Sequence, residues 1–174
     1  MKKICVIVML VMVVMMTSCG GRLEEMGDMS VYTTEKADEM NEKIKDCVNN
    51  NDAEGLTALF AENVQDEKAS LETEAREMIE AFHGNTIVEI DGGEPGLSGS
   101  KETPPLDIMG LYTMTLSSGE QYDMWMYLCD FDEDENEIGL IQIQMFNCLQ
   151  EDLPEDFRFQ SIEREYAGIY VYEY

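Results

Sequence analysis

The sequence predicts an α+β domain in which three helices pack on one face of an antiparallel sheet. Three observations carry that prediction. Between residues 33 and 83, apolar side chains recur at helical spacing in three separate segments. Beyond Gly84 the period changes to strand-like runs divided by glycine, serine and acidic turns. Helices come first and strands follow, an order that segregates the two instead of alternating them.

The N-terminus stands outside this pattern. Lys2 and Lys3 precede an uncharged apolar run over residues 4–16, which Met16, Thr17, Ser18 and Cys19 close. A basic start, a short apolar run and small residues at its end are the layout of an export signal. The run of about a dozen residues falls short of the roughly 20 that a permanent membrane span needs. Its close resembles the lipobox of bacterial lipoproteins, with Thr17, Ser18 and Cys19 matching and Met16 standing where leucine is usual. That resemblance implies a diacylglycerol on the Cys19 thiol, cleavage before it, and a protein anchored in the cell membrane and facing away from the cytoplasm. Acyl chains gain about 0.8 kcal/mol per buried methylene, so two or more hold a protein stably. The expected organisation is a signal peptide over 1–18, a flexible tether over 19–31, and a single domain over 32–174.

Composition narrows the partners. The chain carries 11 Lys and Arg against 37 Asp and Glu. Loss of residues 1–18 removes two of those cations and none of the acids. Such a surface repels nucleic acid and anionic headgroups alike, so lipid at Cys19, and no basic patch, has to hold the protein to its membrane. Cys47, Cys129 and Cys148 follow Cys19 without short spacing, which argues against a disulfide framework or a zinc site. One bridge remains open, its pairing unspecified, and buried free thiols are the default.

In the first helix Thr33 or Thr34 caps, Glu35 lies in the first turn, and Ala37, Met40, Ile44, Cys47 and Val48 share one face before Asn49, Asn50 and Asn51 end it. Asp52 caps a shorter second helix carrying Leu56, Leu59 and Phe60. The third, over residues 70–83, buries Leu71, Ala75, Met78, Ile79 and Phe82, with Gly84 as its left-handed terminator. Strands are expected at 86–90, 107–116, 120–130 and 138–146, with a surface loop over 91–105. Residues 168–174 read as an aromatic, strand-like tail.

Asn51-Asp52-Ala53-Glu54-Gly55-Leu56 followed by Leu59-Phe60 resembles the helical hairpin of the cone-shaped, nuclear-transport-factor-2-like (SnoaL-like) superfamily, and the order of helices, first strand and long meander is similar too. Together with the lipobox, Phe82-His83-Gly84, Ile138-Gly139-Leu140 and Gly168-Ile169-Tyr170-Val171 resemble an uncharacterised family of bacterial lipoproteins. The resemblance implies a pocket between the helices and the concave face of the sheet, and in some superfamily members an inward acid that abstracts a proton.

Candidate chemistry is sparse. His83, the only histidine, lies where a cation suits a helix C-terminus, and no partner motif accompanies it. The run from Asp130 begins like a calcium loop but places Glu135 at the glycine position and Ile141 at the bidentate-acid position, so a solvated hairpin turn is the better reading. No glycine-rich phosphate loop, Ser/His/Asp set or Cys-x-x-Cys occurs, so neither a cofactor nor a metal is expected. If the hairpin pairs Phe131 with Glu137, then Trp125 faces Ile143, Tyr127 faces Ile141, and Asp123 lies beside Met145 on the same wall. Asp123, Trp125, Tyr127 and Tyr112 then line a pocket, and desolvation suits Asp123 to proton transfer. A slip of one residue turns Asp123 outward. Met109, Met114, Met124, Met126 and Met145 fill the core or line an adaptable apolar site. The function expected is a module that binds a small apolar ligand or a protein. The alternatives are a small enzyme using Asp123, or an envelope protein that docks a partner on the outer face of the sheet, where Gln142 and Gln144 lie.

Overall fold

The computed structural model describes residues 29–147 and 164–172. The signal segment, Cys19, most of the tether, Cys148 and the break at Leu153 and Pro154 lie outside the described residues. No helix among the described residues is long and apolar enough to cross a membrane.

Among the described residues the architecture is α+β, with four helices and a curved, mixed sheet of six strands. Helix α1 spans residues 29–49 and buries Ala37, Met40, Ile44 and Val48, the stripe that its spacing predicts. It starts earlier than expected. Thr33 is no cap: its hydroxyl bonds back to the Met29 carbonyl at 2.6 Å inside the helix. Asn51 ends the segment in the left-handed region, with φ 57°. Asp52 caps α2 (Ala53–Thr57) by accepting from the Gly55 N–H at 2.8 Å.

The second predicted helix is in fact two. Helix α2 stops at Thr57, and α3 (Glu62–Glu67) follows. Between them Leu59, Phe60 and Ala61 run beside a strand: Ala61 N–H donates to the Leu140 carbonyl and Leu140 N–H to the Leu59 carbonyl, both at 2.9 Å. Pairing with an open sheet edge outweighs one further helical turn here, and it carries Phe60 into the core. Helix α4 (Leu71–Ala81) buries Leu71, Ala75, Met78 and Ile79, and Phe82 follows it into the core. His83 and Gly84 both adopt positive φ after the helix, and His83 is exposed.

The strands are β1 (Ile87–Gly92), β2 (Gly96–Ser98), β3 (Leu106–Leu116), β4 (Gln121–Phe131), β5 (Gly139–Phe146) and β6 (Gly168–Tyr172). Their order is β1-β3-β4-β5-β6, with β2 also on β3. Strand β2 lies inside the predicted loop and pairs with residues 107–109. The sheet is not purely antiparallel, because β6 runs parallel to β5. Residues 147–167 give the crossover the length that a parallel return requires.

Two bulges bend the sheet. In β4, Asp130 is the extra residue between the pairs Leu106–Phe131 and Asp107–Cys129, and it accepts a hydrogen bond from the Tyr32 hydroxyl of α1. In β5, Ile141 is the extra residue between Leu128–Leu140 and Tyr127–Gln142. Near the turn the pairing matches the predicted register. Beyond Ile141 it shifts by one, so Trp125 opposes Gln144 and Asp123 opposes Phe146. The predicted pairs Trp125–Ile143, Tyr127–Ile141 and Asp123–Met145 are therefore corrected.

The helices cover the face that carries Met114, Tyr122, Met124, Met126, Ile143 and Met145, each 1% exposed or less. Tyr122 fixes α4 to it: the hydroxyl donates to the Ala81 carbonyl at 3.1 Å, and the ring meets Phe82 edge-on at 5.3 Å, a geometry worth about 1 kcal/mol beyond burial.

The backbone of α2–α3 and that of β5 approach closely at Gly139. Its φ is 139°, and a Cβ there would lie 2.6 Å from the Ala61 nitrogen. Gly139→Ala is expected to cost about 3 kcal/mol, from strain and the broken edge pairing. Gly119→Ala, at φ 87° with nothing within 4 Å, should cost only about 1 kcal/mol. Urea unfolding of the two variants checks the difference, and equal losses would contradict it.

Candidate functional site

The four residues predicted to share a pocket do not share a face. Tyr112 points toward the helices, paired with Met124, whereas Asp123, Trp125 and Tyr127 point to the other side. The hydroxyl of Tyr112 lies beside Asn41 of α1. It and the buried Oδ1 of Asn41 both lack a partner among the described residues. Burial, with Asp38 adding to it, pushes this phenol up to about 12. Asp123 is half-buried and accepts from the Thr113 hydroxyl at 3.0 Å. Trp125 is 8% exposed, and its indole N–H has no partner among the described residues. Gln142 and Gln144 lie on this second face as expected from the sequence, but at 1% and 2% exposure they are core residues, not a docking surface. The Gln142 side-chain amide donates to the Tyr166 carbonyl.

The polar centre of this face forms where the sheet bends. The Tyr127 hydroxyl donates to Asp107 Oδ2 at 3.0 Å. Arg164, in the short 3₁₀ turn Arg164–Tyr166 that leads into β6, reaches the other Asp107 oxygen at 3.4 Å and pairs with Glu137. Cys129 is fully buried against the same group and is a free thiol, as is Cys47. Burial dominates the electrostatics. It raises Tyr127 to about 12, with the Asp107 charge adding to the effect, and raises Cys129 to about 11 although Arg164 opposes it. Burial also raises Asp107, against the Tyr127 hydroxyl and Arg164. At neutral pH the thiol and the phenol stay protonated, so neither is an activated nucleophile.

Beside this cluster a cavity of about 400 Å3 opens at the sheet edge, a size suited to a small molecule. Helix α3 and its cap supply Asn63, Val64, Glu67 and Lys68. Strand β5 supplies the bulge residue Ile141, and the chain entering β6 supplies Arg164 and Ala167. Lys68 closes one side. Its ammonium donates to the Ala167 carbonyl at 2.6 Å, lies 3.3 Å from Glu74, and sits 4.6 Å above the Tyr170 ring. Glu74 accepts in turn from the Ile169 N–H at 3.0 Å. Gly168 is required between them, because a Cβ there would fall 2.1 Å from the Lys68 nitrogen.

In the acidic turn, Asp132 and Asp134 accept from the backbone N–H groups of Asp134 and Asn136 at 3.0 and 3.1 Å. Among the described residues no three His, Cys, Asp or Glu side chains come together as a metal-holding group.

Residues 43–148, more than half of the chain, match the family model of a domain of unknown function (DUF5104). The chain belongs to that family, in keeping with the resemblance to an uncharacterised family read from its motifs. No curated protein matches the chain.

Sequence reasoning missed Arg164, Lys68, Asp107 and Glu67. One signal was available for the cations. With 11 basic residues against 37 acidic ones, each cation is scarce among carboxylates and marks a place where the fold gathers them.

The raised pKa of Asp107 has a consequence for stability. The folded state holds this proton more tightly than the unfolded chain, so the contribution is present below the ordinary carboxylate range and fades as pH rises through the elevated value. Asp107→Asn should remove that part of the pH dependence, flattening stability against pH just above pH 4 relative to the wild type. Unfolding midpoints measured across that range test it, and an unchanged slope would contradict it.

Proposed function

We propose that this protein is a lipid-anchored, extracytoplasmic binding module, and that the cavity between α3, β5 and the Arg164 turn is its ligand site. The observation that carries the reading is the cavity itself. Its walls join a buried apolar floor of Val64 and Ile141 to charged and amide side chains, the composition of a small-molecule site. The high pKa values of Tyr127 and Cys129, and the engagement of Asp123 with Thr113, favour binding over proton-transfer chemistry on that face. A nuclear-transport-factor-2-like cone is supported by helices on one face of a curved sheet and by the long β3–β5 meander. Anchoring rests on the sequence of residues 1–19.

Two experiments test the parts separately. In a thermal-shift panel of small polar metabolites, at least one compound should raise the Tm of the full-length protein by a few degrees, as binding to the native state requires. It should leave Ala167→Phe, which fills the cavity, unmoved. A panel with no response in the wild type would sink the binding reading. Cys19→Ser should move the protein from the membrane fraction to the soluble one, and retention in the membrane would show that the apolar segment itself is the anchor.

A further inference from the structure

On the reading of this cavity as a ligand site, we infer that its ligand is a small alkylammonium compound, a primary amine on a short apolar stem. The two cations on the wall invite the opposite conclusion, an anion site. Both are already engaged. Arg164 is held by Glu137 and Asp107, and Lys68 by Glu74 and the Ala167 carbonyl. Three carboxylates therefore stand directly behind two cations, and the described lining offers an anion no free positive charge.

The groups left over point the other way. Glu67 lines the cavity with an exposed carboxylate that has no ion pair or hydrogen bond among the described residues. Asn63, one helical turn before it, accepts from the Val64 N–H at 2.8 Å through its side-chain oxygen, which keeps a second lone pair for a further donor. Residues four apart on a helix present to the same surface, so the carboxylate and the amide lie on one wall. An ammonium offers up to three donors to such a wall, and charge-assisted hydrogen bonds to a carboxylate are the strong kind. Val64, Ile141 and Ala167 supply apolar surface for the stem, the first two at 4% and 1% exposure. The chain's net charge of −26 favours approach of a cation and disfavours that of an anion.

The test uses a matched pair of five-carbon compounds, cadaverine and glutarate, titrated calorimetrically into the full-length protein. Cadaverine should bind saturably with one site per chain. Glu67→Gln should weaken it about tenfold, the loss of one charge-assisted contact. Asp66→Asn removes the same charge one residue away and outside the cavity, and it should change the affinity by less than about twofold. Equal weakening by both variants would show diffuse attraction to an acidic chain and overturn the inference. Binding of glutarate but not cadaverine, abolished by Ala167→Phe, would overturn the amine class while leaving the cavity as the ligand site. Silence toward both compounds also overturns the amine class, and the metabolite panel then decides the binding reading by itself.

Discussion

The arrangement of this domain depends on one residue that has no partner opposite it. Ile141 is inserted in β5 where β4 offers nothing to pair with it, and side-chain alternation along a strand cannot absorb an odd residue without changing faces. From the turn to Leu140 the hairpin keeps one register; from Gln142 onward it keeps another. The shift puts Ile143 and Met145 on the face of Met126 and Met124, toward the helices, and sets Gln142 and Gln144 beside Tyr127 and Trp125 on the other. The bulge residue Ile141, just ahead of the point where β6 joins β5, becomes the floor of the cavity. Register, core composition and the site's position thus share a single cause.

Much of this was legible in the residues and some was not, for physical reasons. The buried stripes of α1 and α4 follow from spacing alone, because a helix of three or more turns averages over local exceptions. Asp52 as a cap and Ser117 to Gly119 as a turn are local chemistry and are found where the chemistry puts them. The segment after Thr57 was not legible, since Leu59 and Phe60 suit a helix as well as a strand edge, and the choice is made by Leu140, some eighty residues away. The direction of β6 was hidden likewise: nothing in Gly168 to Tyr172 says which way its neighbour runs. For the candidate site, the predicted residues rested on a hairpin register that a bulge overrides. Arg164 and Lys68 belong to it only through partners distant in sequence.

The cations show how so acidic a chain keeps its edges together. Lys68 joins the end of α3 to the start of β6 and to Glu74 of α4, and Arg164 joins the bend of β3 to the turn at Glu137. Each holds two elements that would otherwise present carboxylates to one another. Partly buried pairs of this kind are less screened by salt than the i,i+4 pair of Glu72 and Arg76 on the outside of α4. The few positive charges in this chain therefore act as fasteners at the closing edge of the sheet, next to the cavity.

The contact between Tyr32 and Asp130 has a mechanical side. Tyr32 lies near the start of the described part of α1, and its hydroxyl is fixed to the extra residue of β4. The bond joins two parts of the chain 98 residues apart. It meets the sheet at the bent end of its central strand, where Leu106 and Phe131 form the last pair. The hydroxyl of one tyrosine thereby acts as a rivet between helix and sheet, set at the bend and not along the flat of the strand.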